Sequence, residues 1–434
     1  MKLQQVYKKN NFITFIIIFI IVSLIMIACK EKNNDEAITK EKNVATETIE
    51  KEVIEHNVNE PEQLEEFDTY VYDQSEVDST VDTFNSEYKE VNFVIDTTAN
   101  SRKNKISGRR INIAVVGMDA RVGTASKHAD ANHLISVFPE SGHIEITSIP
   151  RDTYCDLGYE DSTGLNKLTI CRSNKGRTRY LQELARIAKV DKVNYYMEFG
   201  FSQAMGIIEL LGYKNPTNTL QVLRTRKGFG DDYQRCYNQG QFIRQALLKH
   251  FNKFTGTFGS IFIRAGLLLV ETNLTYDVVS DIVNKLESLN FPKSNDVVTV
   301  RVRPVLGIKY KNYDFSDEDN INNLVSKIEK FNKSRYKGEL DAPQPKVNVE
   351  KRLNSIIAQA VKDSAKRPEQ VINRMKNYFN QRAWYQVKDK EARIKIRNEF
   401  GTLLYNAYLK KNRLNEAANV KEVIESDKVL FDNK

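Results

Sequence analysis

The sequence predicts an α/β sandwich, a sheet at the centre with helices against it, extended at the C-terminus by an all-α region. Three observations predict it. A short, nearly continuous apolar run at Ile111–Val116 is the pattern of a strand buried on both faces, another apolar run stands at Leu134–Phe138, and "HIEITSI" alternates apolar and polar like a strand. Helical patterns come after them: "RYLQELARIAKV" puts Leu181, Leu184, Ile187 and Ala188 on one face, and "FSQAMGIIELLG" is stopped by Gly212. The tail beyond "GELDAPQPK" carries only helical spacing, as at Leu353, Ile356, Ile357 and Ala360 and again at Leu403, Leu404, Ala407 and Tyr408. Strands alternating with helices bring the sheet between helical layers, and in open sheets of this kind ligands gather at one set of strand ends.

At 434 residues and 41% hydrophobic, the chain can bury a sizeable core. Its 65 basic against 57 acidic residues leave a net charge of +8, which suits nucleic acid, an anionic membrane or a phosphorylated substrate. The N-terminus narrows that choice. Lys2, Lys8 and Lys9 precede an apolar run from Phe12 to Ala28, short for a span of about 20 residues and shaped like a signal sequence over residues 1–29. The "MIAC" that ends it is similar to the lipobox of bacterial lipoproteins, which makes Cys29 a lipidation site; an uncleaved signal anchor is the alternative. Both place the rest of the chain in the cell envelope, outside the cytoplasm, and exclude nucleic acid as the partner. Residues 30–105 are polar and mostly acidic, a composition that cannot offset its ordering entropy, and read as a disordered tether in which "FDTYVYD" is at most an edge strand. A catalytic domain over 106–340 and a helical extension over 341–434 complete the division.

Charge collects where the strands end. Asp119 and Arg121 stand just past the first run, Asp130 stands before the second, and Pro150 ends the third and delivers Arg151 and Asp152. Farther on, Arg224 and Arg226 are two apart and would point the same way on a strand; Asp232, Arg235 and Gln239 recur at helical spacing after a glycine-rich turn. Two guanidiniums on one face repel unless an anion joins them, and planar forks match phosphate oxygens bidentately. A surface salt-bridge lattice among Arg224, Arg226, Asp231 and Asp232 is the competing reading.

The order of these fragments decides between them. A strand followed by G-x-D-x-R, a second acid before a strand, "SIPRDTY", "GLN", then R-x-R and D-x-x-R-x-x-x-Q ahead of a long helix resembles the LytR-CpsA-Psr family of cell-wall proteins, from about Asn112 to Leu289. The resemblance implies a central mixed β-sheet flanked by helices, and transfer of an anionic glycopolymer from a polyprenyl pyrophosphate carrier to peptidoglycan. It also implies a divalent metal, Mg2+ or Mn2+, held by Asp119 and Asp130, with Arg121, Arg151, Arg224, Arg226 and Arg235 on the pyrophosphate. Asn166 and Gln239 join the substrate shell, Asp232 supports it, and Asp152 orients Arg151 or takes the proton of the acceptor hydroxyl. Three positions depart from the family pattern: His128 and Asn238 stand where an arginine is usual, and Gly164 where a lysine is usual. The polyprenyl chain would lie against the apolar helices "FIRQALLKHF" and "SIFIRAGLLLVETNLTYDVVSDIVNKL", whose residues equally fill a core.

Cys155 and Cys171 bracket the loop after Arg151-Asp152 and can form a disulfide, a loop of about 15 residues worth roughly 3 kcal/mol in the chain-entropy model, or remain free thiols with Cys236. The C-terminal helices, with the only tryptophan, Trp384, are either a docking module for a protein partner or a packing extension. Besides the transferase, a catalytically weak envelope protein that binds polyprenyl phosphates or wall polymer, and a polyprenyl pyrophosphate hydrolase, fit the same site.

Overall fold

The computed structural model describes residues 92–95, 109–119, 122–123, 128–225, 231–306, 308–335 and 348–432. The signal sequence with Cys29, the tether apart from 92–95, Arg121, Arg226 and the "GELDAPQPK" linker lie outside the described residues. Among the described residues no helix is long and apolar enough to cross a membrane.

The three apolar runs are strands β2 (Ile111–Asp119), β3 (His128–Phe138) and β4 (His143–Ile149). With β5 (Tyr195–Phe199), β6 (Glu271–Thr272) and β7 (Val298–Val302) they form one mixed six-stranded sheet in the order β6-β5-β2-β3-β4-β7. β2 runs antiparallel to β3 and parallel to β5, and β4 runs antiparallel to β3 and parallel to β7. The carboxyl ends of β2, β4, β5 and β7 therefore share one edge.

Alternation divides the sheet into two apolar faces. Ala114, Val116 and Leu134 pack with Leu168, Tyr180 and Leu184 of α1 (Leu168–Asn174) and α2 (Gly176–Ala188). Ile113, Ile135 and Ile146 face the other way, towards the side that carries Ile243, Ile263 and Ile282. Those belong to α5 (Asp232–His250), α6 (Gly256–Leu268) and α7 (Tyr276–Ser288), the last begun by Thr275, whose hydroxyl accepts from the Val278 N–H. The sandwich expected from the sequence is thus formed.

Between these layers α3 (Phe201–Leu211), closed by Gly212 at φ 101°, leads to α4 (Pro216–Arg224). The stretch that would present Arg224 on a strand is helix instead. Asn215 caps it by accepting from the Asn218 N–H, and Pro216 at its first position has the φ a helix start needs. A second difference lies within the expected tether: residues 92–95, an apolar "NFVI", are strand β1, antiparallel to β8 (Lys309–Asn312).

After α8 (Glu318–Arg335) come α9 (Val349–Asp363), α10 (Pro368–Asn380), α11 (Lys390–Lys410) and α12 (Leu414–Asp427). Leu353, Met375, Phe400 and Trp384 share one core with Ile208 of α3, Leu220 of α4 and Leu324 of α8. Trp384 is fully buried and donates from Nε1 to Asp427 Oδ2 at 3.0 Å. These helices pack as part of the body rather than as a separate module.

Candidate functional site

At the sheet edge Asp130, Arg151 and Asp152 come together, and a bulge aims one of them. Gly117 pairs with Ala131 but Met118 pairs with Ala129, so Asp130 is the extra residue opposite β2. Bulges bend a strand and redirect a side chain, and they favour places beside active sites. Here the freed carboxylate accepts through Oδ1 from Arg151 Nη1 at 2.9 Å. Arg151 itself is delivered by the turn after β4, where Pro150 and the Thr153 N–H to Pro150 O bond close the chain.

Burial disfavours the charge on Arg151, but Asp130, Asp152 and Asp232 outweigh it and raise its pKa, so the guanidinium is a fixed cation. Asp152 holds it from the side, its Oδ2 3.7 Å from Arg151 Nε and its Oδ1 3.8 Å from Lys167 Nζ. Asp152 thus lies between two cations. Arg151 Nε is buried with no hydrogen-bond partner among the described residues, and a buried donor of this kind asks for an acceptor.

Helix α5 closes the site from one face. Asp231 caps it, accepting from the Gln234 N–H at 2.9 Å, and the first turn then presents Asp232, bridged to Arg235 at 2.5 Å. One turn on, Gln239 donates to the Leu223 carbonyl at 3.0 Å and so ties α5 to the end of α4. Arg224, the next residue, lays its guanidinium 5.0 Å from the Phe201 ring, at the start of α3 just past β5. The helical spacing of Asp232, Arg235 and Gln239 is as the sequence indicates.

Other expected residues serve differently. Asn166 is buried, and its amide is spent on its own loop: Oδ1 accepts from Leu157 and Tyr159 N–H, and Nδ2 donates to Tyr159 O and Asp161 Oδ1. With both donors and the acceptor used, it shapes the loop beside Arg151. Cys155, Cys171 and Cys236 are free, buried thiols. Cys155 and Cys171 lie against each other unbridged, and contact with Cys171 together with burial pushes the Cys155 thiol up. Of the positions that depart from the family pattern, His128 is exposed opposite Asp119, Gly164 sits at φ 62° closing a short turn, and Asn238 is buried, accepting from Gln234 Nε2.

Sequence reasoning missed three residues. His133 is buried between β4 and α5; its Nδ1 is 2.9 Å from Ser148 Oγ, Gln239 is its second partner, and burial lowers its pKa to about 4. Gly240 lets α5 come this close, since a Cβ there would stand 2.5 Å from Ser148 Oγ. Arg303 follows β7, buried, with its N–H on Ser148 O at 2.9 Å. The signal for it was "RVRP", whose alternation puts a second arginine at a strand end; His133 had only its alternation with Asn132 inside an apolar run.

Asp119 ends β2 exposed, next to the strand that carries Asp130. Among the described residues no three His, Cys, Asp or Glu side chains gather to hold a metal. Two carboxylates suffice for Mg2+, which keeps waters and takes phosphate oxygens as co-ligands. Asp130 has spent Oδ1 on Arg151.

Fold and site together define an α-β-α sandwich whose strand ends gather fixed arginines and carboxylates. Residues 69–212 match the model of the LytR_cpsA_psr family. Among solved structures, the chain is similar to the Lin1025 protein of Listeria innocua, with 16% identity over 51% of this chain and 98% of that one, at a TM-score of 0.33. TagV of Bacillus subtilis has 14% identity over 52% and 98%, at 0.35. TagT, in a structure with LIIa-WTA bound, has 15% identity over 54% and 97%, at 0.34. No curated protein matches the chain.

Proposed function

We propose that the chain is an exported, membrane-anchored phosphotransferase that moves an anionic glycopolymer from a polyprenyl pyrophosphate carrier to peptidoglycan or another envelope acceptor. The observation that carries this reading is the orphan Nε of Arg151, a buried donor held among carboxylates at the edge where four strands end. The family match supports the substrate class, and Cys29 supplies the anchor as a lipidated cysteine.

In the reaction an acceptor hydroxyl oxygen bonds to the phosphorus that carries the glycopolymer and gives up its proton to solvent, the bridging P–O bond breaks, and polyprenyl phosphate leaves with the electron pair. Charge grows on the leaving phosphate as that bond opens. Arg151 and Arg235, each pinned by an acid, meet it without reorganising, which is where fixed cations contribute most. Arg224, Arg226 and Arg121 are the further pyrophosphate ligands. Asp152 keeps the Arg151 fork in plane, and Gln239 fixes the end of α4. Asp119 and Asp130 would hold Mg2+ or Mn2+, which supplies charge neutralisation on phosphate oxygens when bound.

Release of polyprenyl phosphate from a lipid-linked donor, with and without peptidoglycan, tests the reading. Release that needs peptidoglycan supports the transferase. Release without it makes the chain a hydrolase, and binding without release makes it a binder of wall precursors.

A further inference from the structure

The two turns among the C-terminal helices meet at one end of their bundle. α9 runs out to Asp363 and α10 returns from Pro368, so that Arg352 near the start of one bonds Tyr378 near the end of the other at 3.1 Å. α11 runs out to Lys410 and α12 returns from Leu414. Polar contacts tie the turns together: Lys410 Nζ donates to the Ser364 carbonyl at 2.8 Å, and Glu369 accepts from Arg413 Nη2 at 3.1 Å and lies 4.0 Å from Lys411 Nζ.

This end exposes apolar side chains among cations. Val361, Leu409 and Leu414 are 55%, 41% and 60% exposed, and they stand off the core, which Ala360, Leu404 and Ala417 fill nearby. Around them the two turns carry Lys362, Lys366, Arg367, Lys410, Lys411 and Arg413, against Asp363, Glu369 and Glu416. Asp363 is buried and paired with Arg367 and Arg374 at 2.7 and 2.9 Å. Lys362 and Lys366 are exposed and have no acidic partner among the described residues.

A cluster of exposed apolar groups marks a contact surface, and the charge around it says with what. A hydrated anionic polymer would satisfy the lysines and leave Val361, Leu409 and Leu414 in water. A bilayer with anionic headgroups takes both, the apolar tips at the acyl boundary and the cations on lipid phosphates. We infer that this end of the C-terminal helices is a contact surface for an anionic phospholipid membrane. The contact goes beyond the transferase reading and does not depend on which reaction the strand-end site performs. Beside the proposed anchor it can be weak, because a tethered surface meets the bilayer at high effective concentration.

The test uses the full chain in phosphatidylcholine vesicles, with or without a third of phosphatidylglycerol, brominated near the headgroup to quench tryptophan. Trp384, the only tryptophan, is 1% exposed, so wild type gives the baseline. Leu414→Trp and Leu409→Trp report on the surface, and Val429→Trp, exposed about 20 Å along α12 from Leu414, reports on a position outside it. Both surface reporters should be quenched in anionic vesicles and stay at baseline in phosphatidylcholine; Val429→Trp should stay at baseline in both. Lys362→Gln or Lys366→Gln, which break no ion pair, should each lower the ratio of docked to free Leu414→Trp chain about 5-fold, the worth of one cation at an anionic surface. Sedimentation with phosphatidylcholine vesicles reports the anchor separately. Equal quenching in both vesicles, or none in anionic vesicles that sediment the chain, overturns this inference alone. A chain that sediments with neither vesicle overturns it together with the anchor. Leu414→Trp emission that shifts with soluble polyglycerol phosphate, or with protein concentration, and not with vesicles makes the surface a polymer site or a contact between copies and also overturns it.

Discussion

Arg151 Nη1 and Asp130 Oδ1 lie 2.9 Å apart, joining the turn after β4 to the bulge in β3. Their side chains are 31% and 32% exposed, so the pair is neither a surface ornament nor a sealed core bridge. It holds a fork in place while leaving a buried N–H of the same fork unused.

A fork that must hold two phosphate oxygens cannot be replaced by a point charge. Arg151→Lys should leave the melting temperature nearly unchanged and lower polyprenyl pyrophosphate binding or transfer by a factor on the order of 10 or more, from the loss of a charge-assisted hydrogen bond of about 1.5–3 kcal/mol. Arg151→Ala should be worse, and Arg224→Ala should behave alike. Melting and lipid binding measured side by side check this; a large fall in melting with intact binding makes Arg151 a cap for its turn.

Asp119 is exposed at a strand end and is hydrogen-bonded to no side chain described here, so its removal should cost the fold little. Asp119→Ala should weaken donor binding when Mg2+ is present and change it little in chelator. Equal donor affinity with and without chelator in the wild type removes the metal from the mechanism.

The lipidation site makes a separate prediction. Because Cys29 ends the apolar run of the signal sequence, Cys29→Ala should abolish acylation while leaving the domain exported. An unmodified, full-length N-terminus by intact mass in the wild type would end the lipoprotein reading.

Histidine gives the stability a pH dependence of known sign. Burial lowers the His133 pKa from 6.5 to about 4, so between those values the unfolded chain binds a proton that the folded chain refuses. Stability from this group is complete above pH 6.5 and falls by ~1.4 kcal/mol per pH unit towards pH 4. His250, lowered to about 4 by burial and then by Lys253 and Lys249, adds a smaller contribution of the same sign, since it is partly exposed. His133→Asn should flatten the profile between pH 6.5 and 4 without removing it; urea midpoints across that range are the measurement, and an unchanged slope would place His133 in water.

The strand ends were legible because buried strands announce themselves as apolar runs, and charge placed immediately after them has nowhere to go but the edge. Asp119, Asp130 and Arg151 follow from that alone, and Asp232, Arg235 and Gln239 from helical spacing. The role of Asn166 was not legible: the motif that names it does not say that its amide is consumed by Leu157, Tyr159 and Asp161. Arg224 was misplaced because a two-residue spacing was weighed above Asn215-Pro216, a helix start written in the sequence. The contact of Gln381 with Gly123 spans 258 positions and has no local signature at either end.

Helix α5 approaches β4 closely at Gly240. A methyl at residue 240 would meet Ser148 Oγ at 2.5 Å and Val300 Cγ1 at 2.8 Å. Both belong to the sheet, whose ladders fix β4 and β7 side by side, so the helix has to give instead. Overpacking of this kind costs about 1–3 kcal/mol. Lifting α5 would also separate Gln239 from the Leu223 carbonyl and His133, loosening the end of α4 that carries Arg224. Gly240→Ala should therefore lower the urea midpoint and weaken pyrophosphate binding together, whereas Gly266→Ala, where no atom lies within reach of a Cβ, should do neither. Equal midpoints for the two variants would mean that α5 stands farther from the sheet than this contact requires.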